Sequence, residues 1–188
     1  MSFNPQEKTV STKDFKIPDE GMTLARCARV IEMGTQETSY GDKKQVVIWY
    51  SLPFQTEEFD GEEKQLFIRS KPMKISSWRD GTRKAGLLDH TDALNKDATS
   101  FDDILNKPCM LNIIHNKSVD GEKVYANIAS ITPVMAGQDV PELDTEPYYF
   151  DFYNPTEETW GYLSDYVKGK VQEAKDFPGS ALEALVGN

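Results

Sequence analysis

The segment KQVVIWYSLPF, residues 44–54, constrains the fold more than any other stretch of the chain. Its side chains alternate, with Val46, Ile48, Tyr50 and Leu52 on one face and Val47 and Trp49 on the other. Successive side chains of a strand point to opposite faces, so this period of two predicts a strand with one thoroughly apolar face and a large aromatic on the reverse. The apolar run inside it, Val46 to Tyr50, is too short to cross a bilayer. Such a strand needs paired neighbours and a layer over its apolar face before it is stable in water.

The flanking sequence supplies both. Residues 21–33 alternate after the turn Pro18 to Gly21 and predict a first strand, followed by a polar loop from Gly34 to Asp42. Phe59-Asp60-Gly61 is a hairpin signal, and QLFIRS, residues 65–70, predicts a third strand that pairs with the second. Between that strand and Pro108 the spacing of Ala85, Leu88 and Ala93 suits a helix, and Ser100-Phe101-Asp102-Asp103 reads as a cap opening a second, short one. A fourth strand is expected at Cys109 to His115, with Cys109, Leu111 and Ile113 on one face and Met110, Asn112 and Ile114 on the other. The turn Val119-Asp120-Gly121 leads to a fifth, Lys123 to Ile131. Three strands, a helical insert and a two-stranded hairpin give a mainly β chain in the order of a five-stranded OB-type Greek-key barrel, a fold that binds oligonucleotides or oligosaccharides. An open α+β sheet would have the same order.

After Ile131 the composition changes. Residues 138–188 hold 3 Lys+Arg against 11 Asp+Glu, whereas residues 1–137 hold 18 against 20, so the net charge of -10 belongs mostly to the last quarter. We therefore divide the chain into a barrel domain, 1–137, and an extension, 138–188. The extension begins as a proline-containing linker with a Tyr-Tyr-Phe-x-Phe-Tyr cluster, residues 148–153, able to dock on another surface. Thr156 caps a helix with Glu157 and Glu158 in its first turn, and Trp160, Leu163, Val167 and Val171 fall on one face of it. Pro178-Gly179 stops this helix, and SALEALVGN adds a last turn.

Catalytic patterns are weak. No Gly-rich phosphate loop or dinucleotide fingerprint occurs. Cys27, His90, Cys109 and His115 lack the short spacing of a zinc site, so buried thiols and surface histidines explain them, and no metal or other cofactor is expected. The carboxylate pairs Glu57-Glu58 and Glu62-Glu63 flank a hairpin tip, and Asp102-Asp103 opens a helix. Solvation and capping account for all three, and the chain is not expected to be an enzyme. The polar N-terminal stretch MSFNPQEKTVSTKDFK lacks the apolar centre of a signal peptide, from which we expect a cytoplasmic protein with no membrane partner and reduced cysteines.

An aromatic and basic surface remains. Trp49 lies opposite the apolar face of its strand, Phe67 and Arg69 lie opposite Leu66 and Ile68, and Tyr125 lies opposite Val124 and Ala126. In a small barrel one face of each strand fills the interior, so these aromatics are expected together outside. The stretch Arg69 to Lys84 is basic apart from Asp80 and contributes Lys71, Lys74, Trp78, Arg79, Arg83 and Lys84. Lys43 and Lys44, and further out Lys64 and Lys117, adjoin the same strands. Aromatic rings stack bases without reading them, and cations track phosphates, so the pattern points to single-stranded nucleic acid.

The sequence also resembles the OB-fold single-stranded-DNA-binding proteins that tailed bacteriophages carry among their replication and recombination genes. The matching segments are IPDEGMTLARCARVIEMG, KQVVIWYSLPF, FDDILNKPCMLNIIHNKSVDGEKVYANIASITPV, and the following Gly137 and Val140-Pro141. The resemblance implies sequence-independent binding of single-stranded DNA in the host cytoplasm. It also implies that the acidic C-terminal part recruits replication or recombination proteins or covers the DNA site when it is empty. A phage structural or adaptor protein using the barrel for protein contacts is the alternative.

Overall fold

The computed structural model describes residues 16–76 and 86–187. β1 (Gly21–Thr38), β2 (Gly41–Phe59) and β3 (Glu62–Arg69) form an antiparallel meander. β4 is a two-residue strand (Met73–Lys74) pairing with β2. After α1 (Leu87–Asn95) and a 3-10 turn (Phe101–Ile104), β5 (Pro108–Lys117) returns to pair with the first half of β1, and β6 (Val124–Thr132) pairs with β5. The path β3-β2-β1-β5-β6 contains the Greek-key arrangement, in which a fourth strand comes back beside the first. β3 and β6 approach each other, but no ladder joins them among the described residues.

Two hairpins are longer than the alternation suggests. The polar stretch expected as a loop from Gly34 to Asp42 is instead the paired end of a hairpin, with Thr38 opposite Gly41 across the turn Ser39-Tyr40. Strand pairing needs only backbone groups, so a polar, two-sided stretch joins a ladder that flanking apolar residues have already set in register. At the second hairpin Asp60 and Gly61 both have positive φ, 50° and 80°, the backbone that an Asp-Gly turn favours. The 3-10 turn carries the expected cap, with Ser100 and Asp103 satisfying each other's backbone N–H groups.

β1 does not alternate cleanly, because bulges at Cys27/Arg29 and Glu32/Gly34 reset its faces. Before them Ala25 and Cys27 point inward, and after the first bulge Val30 points inward while Ile31 points out. The interior core gathers Val46, Ile48, Tyr50 and Leu52 from β2, Leu66 and Ile68 from β3, Cys109, Leu111 and Ile113 from β5, and Leu87 and Leu94 from α1. The apolar face of residues 46–52 is thus buried as the period of two requires.

The extension folds onto the opposite face of the sheet. β5 leaves β1 at Arg26, and β7 (Tyr148–Phe150) takes over that edge, pairing parallel with Arg29 to Ile31. Arg26 anchors the approach by donating to the carbonyls of Asn106, Val140 and Pro141 at 2.6, 2.7 and 2.9 Å. Beyond β7 the expected single helix is two. α2 (Glu157–Tyr162) ends where Leu163 turns extended, ψ 140°, and α3 (Asp165–Gln172) restarts with the Ser164 hydroxyl accepting from the Val167 N–H. A serine at the break satisfies an otherwise orphaned N–H, which a continuous helix would not need. The break brings Leu163 and Val167 both into a second, outer core with Ile31, Phe150, Phe152, Val171 and Leu182, the last from α4 (Ala181–Val186).

Candidate nucleic-acid interface

The outer faces of β1, β2 and β3 meet in one cross-strand row. Trp49 on β2 is in register with Arg29 on β1 and Arg69 on β3, and the two guanidinium carbons lie 5.8 and 6.0 Å from its ring centroid. Arg29 also sits 4.4 Å over Phe67 and 5.7 Å over Tyr148, so it is walled by three rings. An arginine held against aromatics keeps its charge and its fork of N–H donors while losing side-chain freedom. The row therefore presents a flat ring flanked by one cation held among aromatic rings and one exposed cation, which suits a base beside its phosphates.

Of the residues singled out by sequence, Trp49, Phe67 and Arg69 come together here. Trp49 is half-buried, because its inner edge packs on the outer core, and Arg69 is exposed. Lys43, Lys44 and Lys74 gather at the adjoining end of the sheet around a neighbouring hollow, where Lys44 Nζ lies 4.8 Å over Tyr153 and the carboxylates of Glu32 and Asp42 also face the space. Lys71 is exposed just after β3. Lys64 is paired with Glu62 at 3.0 Å, and Lys117 is exposed at the end of β5. Tyr125 is exposed on β6, opposite Asn116, and is not part of the arginine-aromatic row. Trp78, Arg79, Arg83 and Lys84, like Ala85 of the expected helix, lie outside the described residues.

Two features escaped the sequence reading. Alternation sets Arg29 with Ile31 opposite Val30, as observed, but nothing local in the sequence marks it as the neighbour of Trp49, Phe67 and Tyr148, which the strand register supplies. Glu32 is buried at the edge of both layers, where it accepts hydrogen bonds from the Tyr149 hydroxyl and, at 3.3 Å, the Phe152 N–H. Burial pushes its carboxyl up to about 7, the nearby Asp151 charge adds to this, and the two hydrogen bonds and Lys44 oppose it. A glutamate inside the apolar run ARVIEMG was the available signal. It ties β1 to the extension.

The histidines and cysteines have structural surroundings. His90 was expected at the surface but is buried, because its Nδ1 meets the Tyr50 hydroxyl at 2.6 Å inside the interior core. Burial pushes its pKa down to about 4. His115 Nε2 meets the Pro18 carbonyl at 2.7 Å. Cys27 and Cys109 are buried thiols, and burial pushes both pKa values up. Among the described residues no group of three or more His, Cys, Asp and Glu is placed to hold a metal ion, and no helix is long and apolar enough to cross a membrane. No protein-family model and no curated protein matches the chain.

Proposed function

We propose that this protein binds single-stranded DNA without reading its sequence, on the outer face of β1, β2 and β3 of an OB-type barrel, as a replication or recombination accessory of a tailed bacteriophage. The observation that carries the reading is the row Arg29-Trp49-Arg69, an aromatic ring between two arginines in a chain of net charge -10. The Greek-key path and the helix between β3 and β5 agree with an OB-type barrel, in which the same strands form the usual oligonucleotide surface. The phage assignment, the host cytoplasm as its location, and recruitment of replication proteins through the acidic extension rest on the sequence resemblance.

A fluorescence titration with oligo-dT and with a blunt duplex at two salt concentrations tests the reading. The single strand is expected to bind more tightly, and its affinity to fall as salt rises, because neutralised phosphates release counterions. Trp49→Ala should weaken binding by about 1–3 kcal/mol, roughly five- to 150-fold, while leaving the interior core intact. Equal binding of duplex and single strand, or affinity indifferent to salt, would remove the proposal.

A further inference from the structure

Resting on that reading, we infer that the slot between the outer face of β1–β2 and α3 takes one unstacked nucleobase of the bound strand. The extension would then be a wall of the DNA site and not only a competitor for it. The slot is a cavity of about 180 Å³ between Val47 and Trp49 on the sheet and Tyr166 and Lys170 on α3, lined also by Arg69 and by the amides of Gln36 and Gln45. That is room for about six waters at the ~30 Å³ each occupies in the liquid, which suits one planar ring and falls short of the ~300 Å³ or more of a pocket that encloses a whole ligand.

Charge identifies the occupant. The chain carries 31 Asp+Glu against 21 Lys+Arg, and the extension is its most acidic part, yet among the described residues no carboxylate lines this slot. Its charged lining groups among the described residues are Arg69 and Lys170, one from each wall. The neighbouring lysine-rich hollow, by contrast, includes Glu32 and Asp42. An apolar floor with cations at the edges fits a base inside and its phosphates outside, and it does not fit a cationic or carboxylate-seeking ligand. A base within a duplex is stacked and paired and cannot enter, so the slot also supplies a reason for preferring single strands.

The slot is held open by bonds already made. Gln36 Nε2 donates to the carbonyls of Met33 and Lys170 at 2.8 and 2.9 Å. The Lys175 N–H donates to the Thr35 carbonyl at 2.9 Å, and Asp176 accepts the Thr35 N–H and hydroxyl, both at 2.8 Å. These contacts fix the spacing between α3 and β1, so little ordering is left for the moment of binding.

The test compares oligo-dT affinity of the full chain with that of a Tyr166→Ala/Lys170→Ala variant and of Lys168→Ala. The last removes the same charge from the same segment but lies outside the slot. The double variant is expected to lose tenfold or more and Lys168→Ala less than twofold, and on a strand of abasic sites with the same phosphates the loss should shrink to the small part that the removed Lys170 charge accounts for. Should the double variant fail to fold, photocrosslinking of wild-type protein to a 5-bromouracil strand decides, with adducts expected at Trp49 or Tyr166. Wild-type binding of oligo-dT with an unaffected folded double variant, an equal loss in Lys168→Ala, or adducts only elsewhere would overturn the slot and leave the proposed function standing. Absence of oligo-dT binding by the wild type would overturn both.

Discussion

The interior and outer cores differ in how far the chain travels to build them. The interior is made by hairpins, by the pairing of β1 with β5 and by α1, and its buried polar contacts include the Tyr50 hydroxyl with His90 and the Ile48 N–H donating to the Ser70 hydroxyl. The outer core joins β1 to residues more than a hundred positions later, and its border is stitched by polar groups: Glu32 with Tyr149 and Phe152, Thr35 with Asp176, Lys175 with Asp42 at 2.9 Å. Apolar burial drives both, but the distant segment of the interior lands by a backbone ladder of β1 with β5, whereas that of the outer core is fixed largely by side-chain hydrogen bonds. The consequence is functional, because the outer core sets the height of the slot beside Trp49.

The comparison breaks most visibly under side-chain truncation. Leu111→Ala in the interior is expected to cost about 2–5 kcal/mol, and Phe150→Ala in the outer core about 3–5 kcal/mol, since both side chains are fully buried. The two losses should be felt in different places. Leu111→Ala lowers the whole unfolding transition followed by circular dichroism. Phe150→Ala releases the extension, seen as rapid proteolytic cleavage between residues 133 and 147 while the sheet persists. A Phe150→Ala protein that unfolds in one step with its sheet would show that the two cores are one cooperative unit.

A smaller effect sharpens the point of contact. Gly34 has φ +69°, and a Cβ there would stand 2.7 Å from Ala174 Cβ and 2.8 Å from the Phe152 ring. Gly34→Ala should therefore loosen the outer core by about 1–3 kcal/mol through overpacking, in addition to backbone strain. Gly179→Ala is the control, with φ +79° and nothing within 4 Å of the added carbon, so it carries the backbone strain alone. Equal destabilisation by the two substitutions would remove close packing at Gly34 from the account.

The same contrast explains what could be read in advance. The face Val46, Ile48, Tyr50, Leu52, the hairpin at Asp60-Gly61 and the buried row Cys109, Leu111, Ile113 were legible because each rests on a local period or turn. Trp49, Phe67 and Arg69 were found together for the same reason, being neighbours across a short hairpin. The bulges of β1 were not legible, since each extra residue inverts the alternation without a compositional mark and the second restores what the first reversed, and the place of Arg29 beside Trp49 depends on the register they set. The tail's aromatics could be seen to need a surface, but which strand edge they would take depends on where β5 leaves β1. No local pattern encodes that.

The smallest expected effect is a cancellation between the two cores. Glu32 in the folded protein titrates at about 7 against an ordinary 4.5, so the stability its protonated form contributes is complete below pH 4.5 and is lost as pH rises towards 7. His90 titrates at about 4 against an ordinary 6.5, so its neutral form contributes stability that is complete above pH 6.5 and is lost as pH falls towards 4. Between pH 4.5 and 6.5 the slopes oppose, each limited to about 1.4 kcal/mol per pH unit for one proton. Asp103, held below its ordinary value by the Thr99 N–H first, and Asp120, held there by the Ser118 hydroxyl first, titrate beneath this window. The wild-type melting temperature should accordingly differ little between pH 4.5 and 6.5. Glu32→Gln keeps an acceptor for Tyr149 and leaves the histidine unopposed, so this variant should melt lower at pH 4.5 than at 6.5. His90→Gln keeps a polar partner for Tyr50 and leaves the glutamate unopposed, so it should melt higher at pH 4.5. Slopes of the same sign in the two variants would show that these groups do not govern the window, and that the interior and outer cores do not answer oppositely to acid.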